Sequence, residues 1–150
     1  MIIFAHGSGT STRSLRNQYL SRLLSNEGLS ILHLDLLTIC EQDIDIHAQK
    51  KLRELSGVNK FNIKLLGQRF VTITRWAIEY PETKDMAIGY FGASTGAALF
   101  FATASHKQVS ERVTSIVTRS GSPELAFESL PFVKAPSLLI VGKNDTKKII

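Results

Sequence analysis

Short apolar runs alternate along this chain with longer segments in which apolar residues recur every three or four positions. Short apolar runs are typical of buried strands, and the longer period is typical of helices that bury one face. The alternation predicts an α/β fold, a three-layer αβα sandwich with a mostly parallel sheet in the middle. Five strands are predicted, over residues 1–5, 29–34, 86–91, 113–118 and 137–141.

Three helices are predicted between these strands. The first follows the hydroxyl-rich stretch 10–14, whose side chains are suitable caps, and ends at Gly28. The second ends at Pro81, and the third covers residues 95 to about 106. Residues 35–60 are polar and irregular and are expected to cross the surface. The apolar stripes expected to face the sheet are Leu15, Tyr19, Leu20, Leu23 and Leu24 in the first helix, and Leu66, Phe70, Ile73, Ala77 and Tyr80 in the second.

Composition narrows the class of protein. The 150 residues are 43% apolar and 21% charged, which excludes disordered and low-complexity chains and predicts a single domain over residues 1–150. The net charge of +5 is scattered, so no nucleic-acid partner is expected. The single Cys40 predicts neither an internal disulfide nor a metal site, and it favours a reducing, cytoplasmic location.

One uncharged segment, residues 86–105, needs a separate explanation. Its length approaches that of a membrane span, but Gly89, Gly92 and Gly96 interrupt it. A buried strand, a tight turn and a buried helix account for it better, so no membrane association is expected.

The strongest chemical motif lies inside that segment. Gly92, Ala93, Ser94, Thr95 and Gly96 form a G-x-S-x-G pattern where the third strand meets a helix. On such a turn a strained serine presents its hydroxyl clear of the sheet, and the glycines allow strand and helix to pass closely. Ser94 is therefore the predicted catalytic nucleophile, and the alternative is an ordinary strand-to-helix loop.

A second motif, His6-Gly7-Ser8-Gly9, ends the first strand. Acyl transfer needs two backbone N–H groups to stabilise the oxyanion, and these are predicted to come from Thr95 and from Ser8 or Gly9. His6 is expected to be structural and hydrogen-bonded to nearby backbone, with Gly7 shaping the turn. A phosphate-binding loop over residues 7–12 is the alternative, although it lacks the P-loop lysine.

The last strand ends in Gly142-Lys143-Asn144-Asp145. Its carboxylate would lie at the same sheet edge as Ser94, where it could orient a histidine that acts as general base. Asp145 is therefore the predicted catalytic acid, with Glu124 as the second choice and an ordinary turn aspartate as the structural alternative.

In that order, these three motifs resemble those of the α/β-hydrolase fold. The stretches 4–9, 16–17, 34–38 and 91–98 are similar to the dienelactone-hydrolase-like branch of bacterial proteins. The resemblance implies a serine hydrolase that acts on an ester or related small acyl substrate, without a cofactor. Dienelactone hydrolases proper use cysteine as the nucleophile, whereas position 94 is serine.

The resemblance also implies a histidine base after Asp145 and one further strand, and residues 146–150 contain neither. His106 lies about 18 Å along a helix from Ser94. The strand order that the resemblance implies puts His33 on the far side of the first strand from Ser94. His47, in the irregular segment, is the remaining substitute. The chain is therefore expected to be a partial, truncated domain lacking the last strand and the histidine loop.

Two consequences follow for partners and function. The strands at 29–34 and 137–141 would be open edges, which could pair with a second copy or with a partner chain. A catalytically inactive remnant or interaction module is the main functional alternative, and a phosphate- or nucleotide-binding domain is the weaker one.

Overall fold

The computed structural model describes residues 1–6, 11–38, 41 and 63–145. Within them, five strands alternate with three α-helices and one 3₁₀ segment. The strands are β1 (Ile2–Ala5), β2 (Ile31–His33), β3 (Ile88–Ala93), β4 (Val113–Arg119) and β5 (Ser137–Ile140). The helices are α1 (Leu15–Asn26), α2 (Ile63–Glu79) and α3 (Thr95–Ala104), and the 3₁₀ segment spans Pro123–Phe132. The predicted five strands and three helices are all present.

The five strands form one parallel sheet in the order β2-β1-β3-β4-β5. In register across the sheet, Ala5 lies beside Gly92, Gly92 beside Thr118, and Thr118 beside Leu139. The carboxyl ends of the strands therefore meet at one edge. Among the described residues, β2 and β5 are the outer strands of the sheet, the two positions expected for them.

One face of the sheet carries most of the core. The rings of Phe70 on α2 and Phe100 on α3 both pack against the ring of Tyr90 on β3, with centroids 5.0 and 5.4 Å away. Crossovers between parallel strands are right-handed, and the chain reverses direction across the sheet after β2. Hence α2 and α3 cover this face and α1 lies on the other, which confirms the three-layer α/β architecture.

The predicted apolar stripe of α1 is wrong in part. Leu15, Tyr19 and Leu23 are 83%, 62% and 43% exposed, whereas Asn17 is buried. The leucines of this helix fit more than one helical spacing, so their periodicity does not determine which face of the helix is buried. The amide of Asn17 donates to the Ser11 carbonyl at 3.0 Å, which satisfies its polar group beneath the helix. The stripe predicted for the second helix is also wrong at its last position, because Tyr80 follows the end of α2 and is 37% exposed.

The element ends are set by local chemistry. Gly28 has φ +81, a left-handed conformation that suits the end of α1, as predicted.

The 3₁₀ segment between β4 and β5 was not predicted. Most of the polar segment 35–60 lies outside the described residues. None of the helices in the described ranges has both the length and the apolar character needed to cross a bilayer.

Candidate active site

Ser94 lies in a sharp turn between β3 and α3. Its backbone has φ 55 and ψ −129, in a region of positive φ that residues other than glycine seldom occupy. The serine N–H donates to the Arg119 carbonyl on β4 at 3.3 Å, and its carbonyl accepts from Ala97 at 3.1 Å. The strained residue is therefore held from both sides, by the neighbouring strand and by the helix that follows it.

The two glycines of the motif allow close approach at this turn. A Cβ on Gly92 would lie 2.3 Å from the Ala5 carbonyl oxygen and 2.6 Å from the Phe100 ring. A Cβ on Gly96 would lie 3.1 Å from the same carbonyl oxygen. Strand β1, strand β3 and helix α3 therefore meet without room for a side chain, which is the physical reason the motif needs glycine at these positions.

Thr95 is the first residue of α3. Backbone N–H groups in a first helical turn have no partner within the helix, and they lie at the positive end of the helix dipole. The Thr95 N–H therefore lies directly after Ser94, at the positive end of the α3 dipole. Gly7, Ser8 and Gly9, the other predicted contributors to an oxyanion site, lie outside the described residues.

Asp145 forms a compact turn after β5. Its Oδ2 accepts hydrogen bonds from the Gly142 N–H and the Ser120 hydroxyl, both at 2.7 Å. The Ser120 hydroxyl, followed by the Gly142 N–H, holds the pKa of the Asp145 carboxyl below its ordinary value of 3.8. The carboxylate therefore remains ionised at neutral pH.

Ser120 is a polar residue of this edge that the sequence analysis did not identify. It follows β4 directly and has φ 48, so it joins Ser94 as a non-glycine residue with positive φ. The N–H of Ser122, two residues later, donates to the Ser94 carbonyl at 3.3 Å. The turn after β4 thus contacts both Ser94 and Asp145. The sequence feature that could have identified this turn is Ser120-Gly121-Ser122, which directly follows a predicted strand and has a composition typical of a tight turn.

A second polar cluster lies on the other side of Ser94, at the ends of β1 and β2. The Nε2 of His6 lies 2.7 Å from Asp35 Oδ1. Thr12 donates to the same carboxylate through its backbone N–H, at 2.9 Å, and through its hydroxyl, at 2.8 Å. The prediction that His6 is held by backbone did not identify this partner, because Asp35 lies 29 residues away and was not considered.

Burial acts to raise the pKa of the Asp35 carboxyl, but the hydrogen bonds from Thr12 and His6 outweigh it and bring the pKa below its ordinary value of 3.8. Burial lowers the pKa of the nearby His33, and the His6 ring adds to this effect. The Nε2 of His33 is buried and has no hydrogen-bond partner among the described residues, so the neutral form of the ring is favoured in the folded protein.

The segment after β2 is held by Arg69 on α2. Its guanidinium forms two hydrogen bonds with the Glu41 carboxylate, at 2.6 and 2.8 Å, and a third with the Leu36 carbonyl at 2.9 Å. The Arg69 hydrogen bonds, assisted by Thr38, lower the pKa of Glu41 to about 2. This bidentate pair fixes the chain just beyond Asp35.

The remaining candidates lie elsewhere. Glu124 is exposed and lines an open cavity of about 900 Å³ between α2, α3 and the 3₁₀ segment, together with Gly67 and His106. His106 lies beyond the carboxyl end of α3, opposite the Ser94 end. His47 lies outside the described residues. Across the ranges that the structure describes, no group of three His, Cys, Asp or Glu side chains is arranged to hold a metal ion.

Comparisons with known proteins point to two kinds of relative. The crystal structure of a dienelactone hydrolase from Anabaena variabilis matches with a TM-score of 0.83 and 44% identity, over 96% of this chain and 62% of that one. Two curated proteins from Mycobacterium tuberculosis, strains CDC 1551 and H37Rv, are 41% identical over 145 residues and are provisionally named phosphoribosyl transferases. No family model matches the sequence.

The extent of these matches differs. The chain spans 30% of the length of the curated relatives and 62% of the dienelactone hydrolase chain. At 44% identity and a TM-score of 0.83, the parallel sheet and flanking helices have the fold of that dienelactone hydrolase, which is the predicted α/β-hydrolase fold.

Proposed function

We propose that this chain is the nucleophile-bearing part of a serine hydrolase that acts on an ester or a related small acyl substrate. The observation that carries the proposal is the backbone of Ser94, which has positive φ at a strand-to-helix turn that is closely packed at Gly92 and Gly96. Strained backbone of this kind is kept where the surrounding contacts enforce it and where it serves a site.

In the proposed reaction, the Ser94 hydroxyl oxygen attacks the acyl carbonyl carbon while an imidazole base takes the hydroxyl proton. The Thr95 N–H stabilises the resulting oxyanion, with Ser8 as the second proposed donor. The carbon–oxygen bond to the alcohol then breaks, the alkoxide receives the proton, and water hydrolyses the acyl-serine. Asp145 orients the imidazole.

The base is not assigned to any of the described histidines. His6 Nε2 is bound to Asp35, His33 lies on β2 with β1 between it and the Ser94 strand, and His106 lies at the opposite end of α3. Of the groups in the proposed reaction, the described residues therefore include Ser94, Thr95 and Asp145.

The names of the curated relatives suggest phosphoribosyl transfer as another activity. Their match covers 30% of their length, so the name applies to proteins most of which this chain does not match. The match to the dienelactone hydrolase covers 62% of that chain, with a TM-score of 0.83 and 44% identity. Acyl hydrolysis is accordingly the proposal that the site supports better.

A fluorophosphonate probe tests the proposal directly. We expect labelling at Ser94 that is lost in Ser94→Ala and retained in Ser25→Ala, a control on the exposed face of α1. Cleavage of 4-nitrophenyl acetate with the same dependence on Ser94 would establish the acyl substrate class. Labelling that persists in Ser94→Ala, or folded protein that is not labelled, would contradict the proposal. Thermal stabilisation by phosphoribosyl diphosphate would favour the phosphate-binding alternative.

A further inference from the structure

The turn after β4 carries strain that the sheet does not require. Ser120 has φ 48, although it lies in a segment where glycine would adopt this conformation at lower cost, and glycine is the next residue. Positive φ at a residue other than glycine is found more often at functional sites, which makes the Ser120 side chain a candidate for a role. This turn is also the one whose Ser122 N–H bonds to the Ser94 carbonyl.

The backbone of this turn is fixed on two sides. The Ser120 N–H donates to the Ile140 carbonyl on β5 at 2.8 Å. A Cβ on Gly121 would lie 2.5 Å from the Ala97 Cβ, so the turn is pressed against α3. These contacts aim the Ser120 hydroxyl towards the end of β5, where Asp145 lies.

The two oxygens of the Asp145 carboxylate differ in their contacts. Oδ2 accepts both hydrogen bonds, from the Ser120 hydroxyl and the Gly142 N–H. Within the part of the chain that the structure describes, no donor is bonded to Oδ1. Two donors on one oxygen oppose rotation of the carboxylate and leave the second oxygen available as an acceptor.

We propose that Ser120 is a positioning residue for the acid. Its hydroxyl, together with the Gly142 N–H, fixes Asp145 Oδ2 so that Oδ1 is presented to the N–H of the imidazole base. This inference rests on the proposed function, because it assigns a role within the same acyl-transfer site. It also gives a reason why one turn bonds to both Ser94 and Asp145, since the turn then helps to fix the separation of nucleophile and acid.

Two substitutions separate the hydroxyl from the backbone strain. Ser120→Ala removes the hydroxyl and keeps a Cβ at positive φ, whereas Ser120→Gly removes the hydroxyl and relieves the strain. We expect both variants to lower the rate of fluorophosphonate labelling at Ser94 about tenfold, the equivalent of one hydrogen bond. With 4-nitrophenyl acetate, kcat should fall while KM is unchanged.

A second measurement reports on the carboxylate without requiring activity. Carbon-13 NMR titration of Asp145 should show its pKa rising towards the ordinary value in both variants, while Ser25→Ala leaves it unchanged. Ser120→Cys, which is close in size but a weak donor, keeps the test available if the other variants do not fold, and the same loss is expected.

The outcomes distinguish this role from the proposed function. If Ser94 is labelled in the wild-type protein and equally fast in Ser120→Gly, the hydroxyl is not needed and the positioning role is overturned alone. An unchanged Asp145 pKa in both variants would also overturn it. If the folded wild-type protein is not labelled, the proposed function fails and this role fails with it.

Discussion

Gly92 offers the sharpest test of how the site is built. In Gly92→Ala the new Cβ would lie 2.3 Å from the Ala5 carbonyl oxygen and 2.6 and 2.8 Å from two carbons of the Phe100 ring. These distances are far below ordinary contact, so something must shift. Ala5 belongs to β1 and is paired with Gly92 in the sheet, and Phe100 is fully buried, so neither neighbour can move freely.

The cost follows from that packing. Overpacking a rigid core costs about 1–3 kcal/mol, and a clash with paired backbone belongs at the upper end, about 3 kcal/mol. Gly67→Ala is a matched control, because a Cβ there meets the nearest atom, the Ala102 Cβ, at an ordinary 3.9 Å. Gly67 lies inside α2, where alanine is favoured over glycine by about 0.5–1 kcal/mol.

The two variants should therefore differ by about 4 kcal/mol with opposite signs relative to wild type. With a urea m-value of about 2 kcal/mol/M, their unfolding midpoints should lie about 2 M apart. Equilibrium unfolding followed by circular dichroism measures this. Midpoints that agree within about 0.5 M would show that β1 and α3 yield at this turn, and would refute the argument that close packing enforces the Ser94 geometry.

Three further predictions concern buried and titrating groups. The pKa of His33 is lowered in the folded protein, so the unfolded chain binds the His33 proton at higher pH, and the stability of the fold should fall as the pH drops below about 6.5. In His33→Phe, the unfolding temperature should fall less between pH 8 and pH 5 than it does in wild type. Asp35→Asn should lower the unfolding temperature at pH 7. The difference from wild type should shrink as the pH falls from 3.8 through the lower pKa of the Asp35 carboxyl in the folded protein, because the wild-type carboxyl is then protonated. Thr74→Val leaves the buried Tyr90 hydroxyl without its 2.9 Å partner, and it should lower the free energy of unfolding in urea by about 1–3 kcal/mol. Tyr90→Phe should lower it by less, and the double variant should lower it by less than the sum of the two single variants.

The sheet and the Ser94 turn were predictable because their signals are local. Each strand is a short apolar run with a turn after it, and parallel strands place those turns at one edge. The G-x-S-x-G pattern at residues 92–96 combines a strand end, a helix start and two glycines within five positions. The outer positions of β2 and β5 were predicted from the strand order that the resemblance to hydrolases implies.

The buried face of α1 and the partners of the carboxylates were not predictable in the same way. In α1, the apolar stripe that the leucine spacing predicted includes Leu15, which is exposed. The buried position is the polar Asn17, whose side chain donates to a backbone carbonyl. The Ser120–Asp145 bond joins residues 25 positions apart, and the His6–Asp35 contact joins residues 29 apart. Side-chain pairs at such separations depend on strand register and on turn conformation, which periodicity does not determine.

The arrangement of polar groups nevertheless follows one physical rule. His6 directly follows β1, Ser94 directly follows β3 and Ser120 directly follows β4, while Asp35 and Asp145 come soon after the two outer strands. Ser94 on the third strand of five is therefore flanked by two carboxylate clusters, each held by donors from its own pair of strands. Both carboxyl groups have lowered pKa values, so both clusters should persist until the pH falls below 3.8. Since the clusters share no hydrogen bond among the described residues, loss of one should leave the other intact, and substitutions at Asp35 and Ser120 should have additive effects on stability.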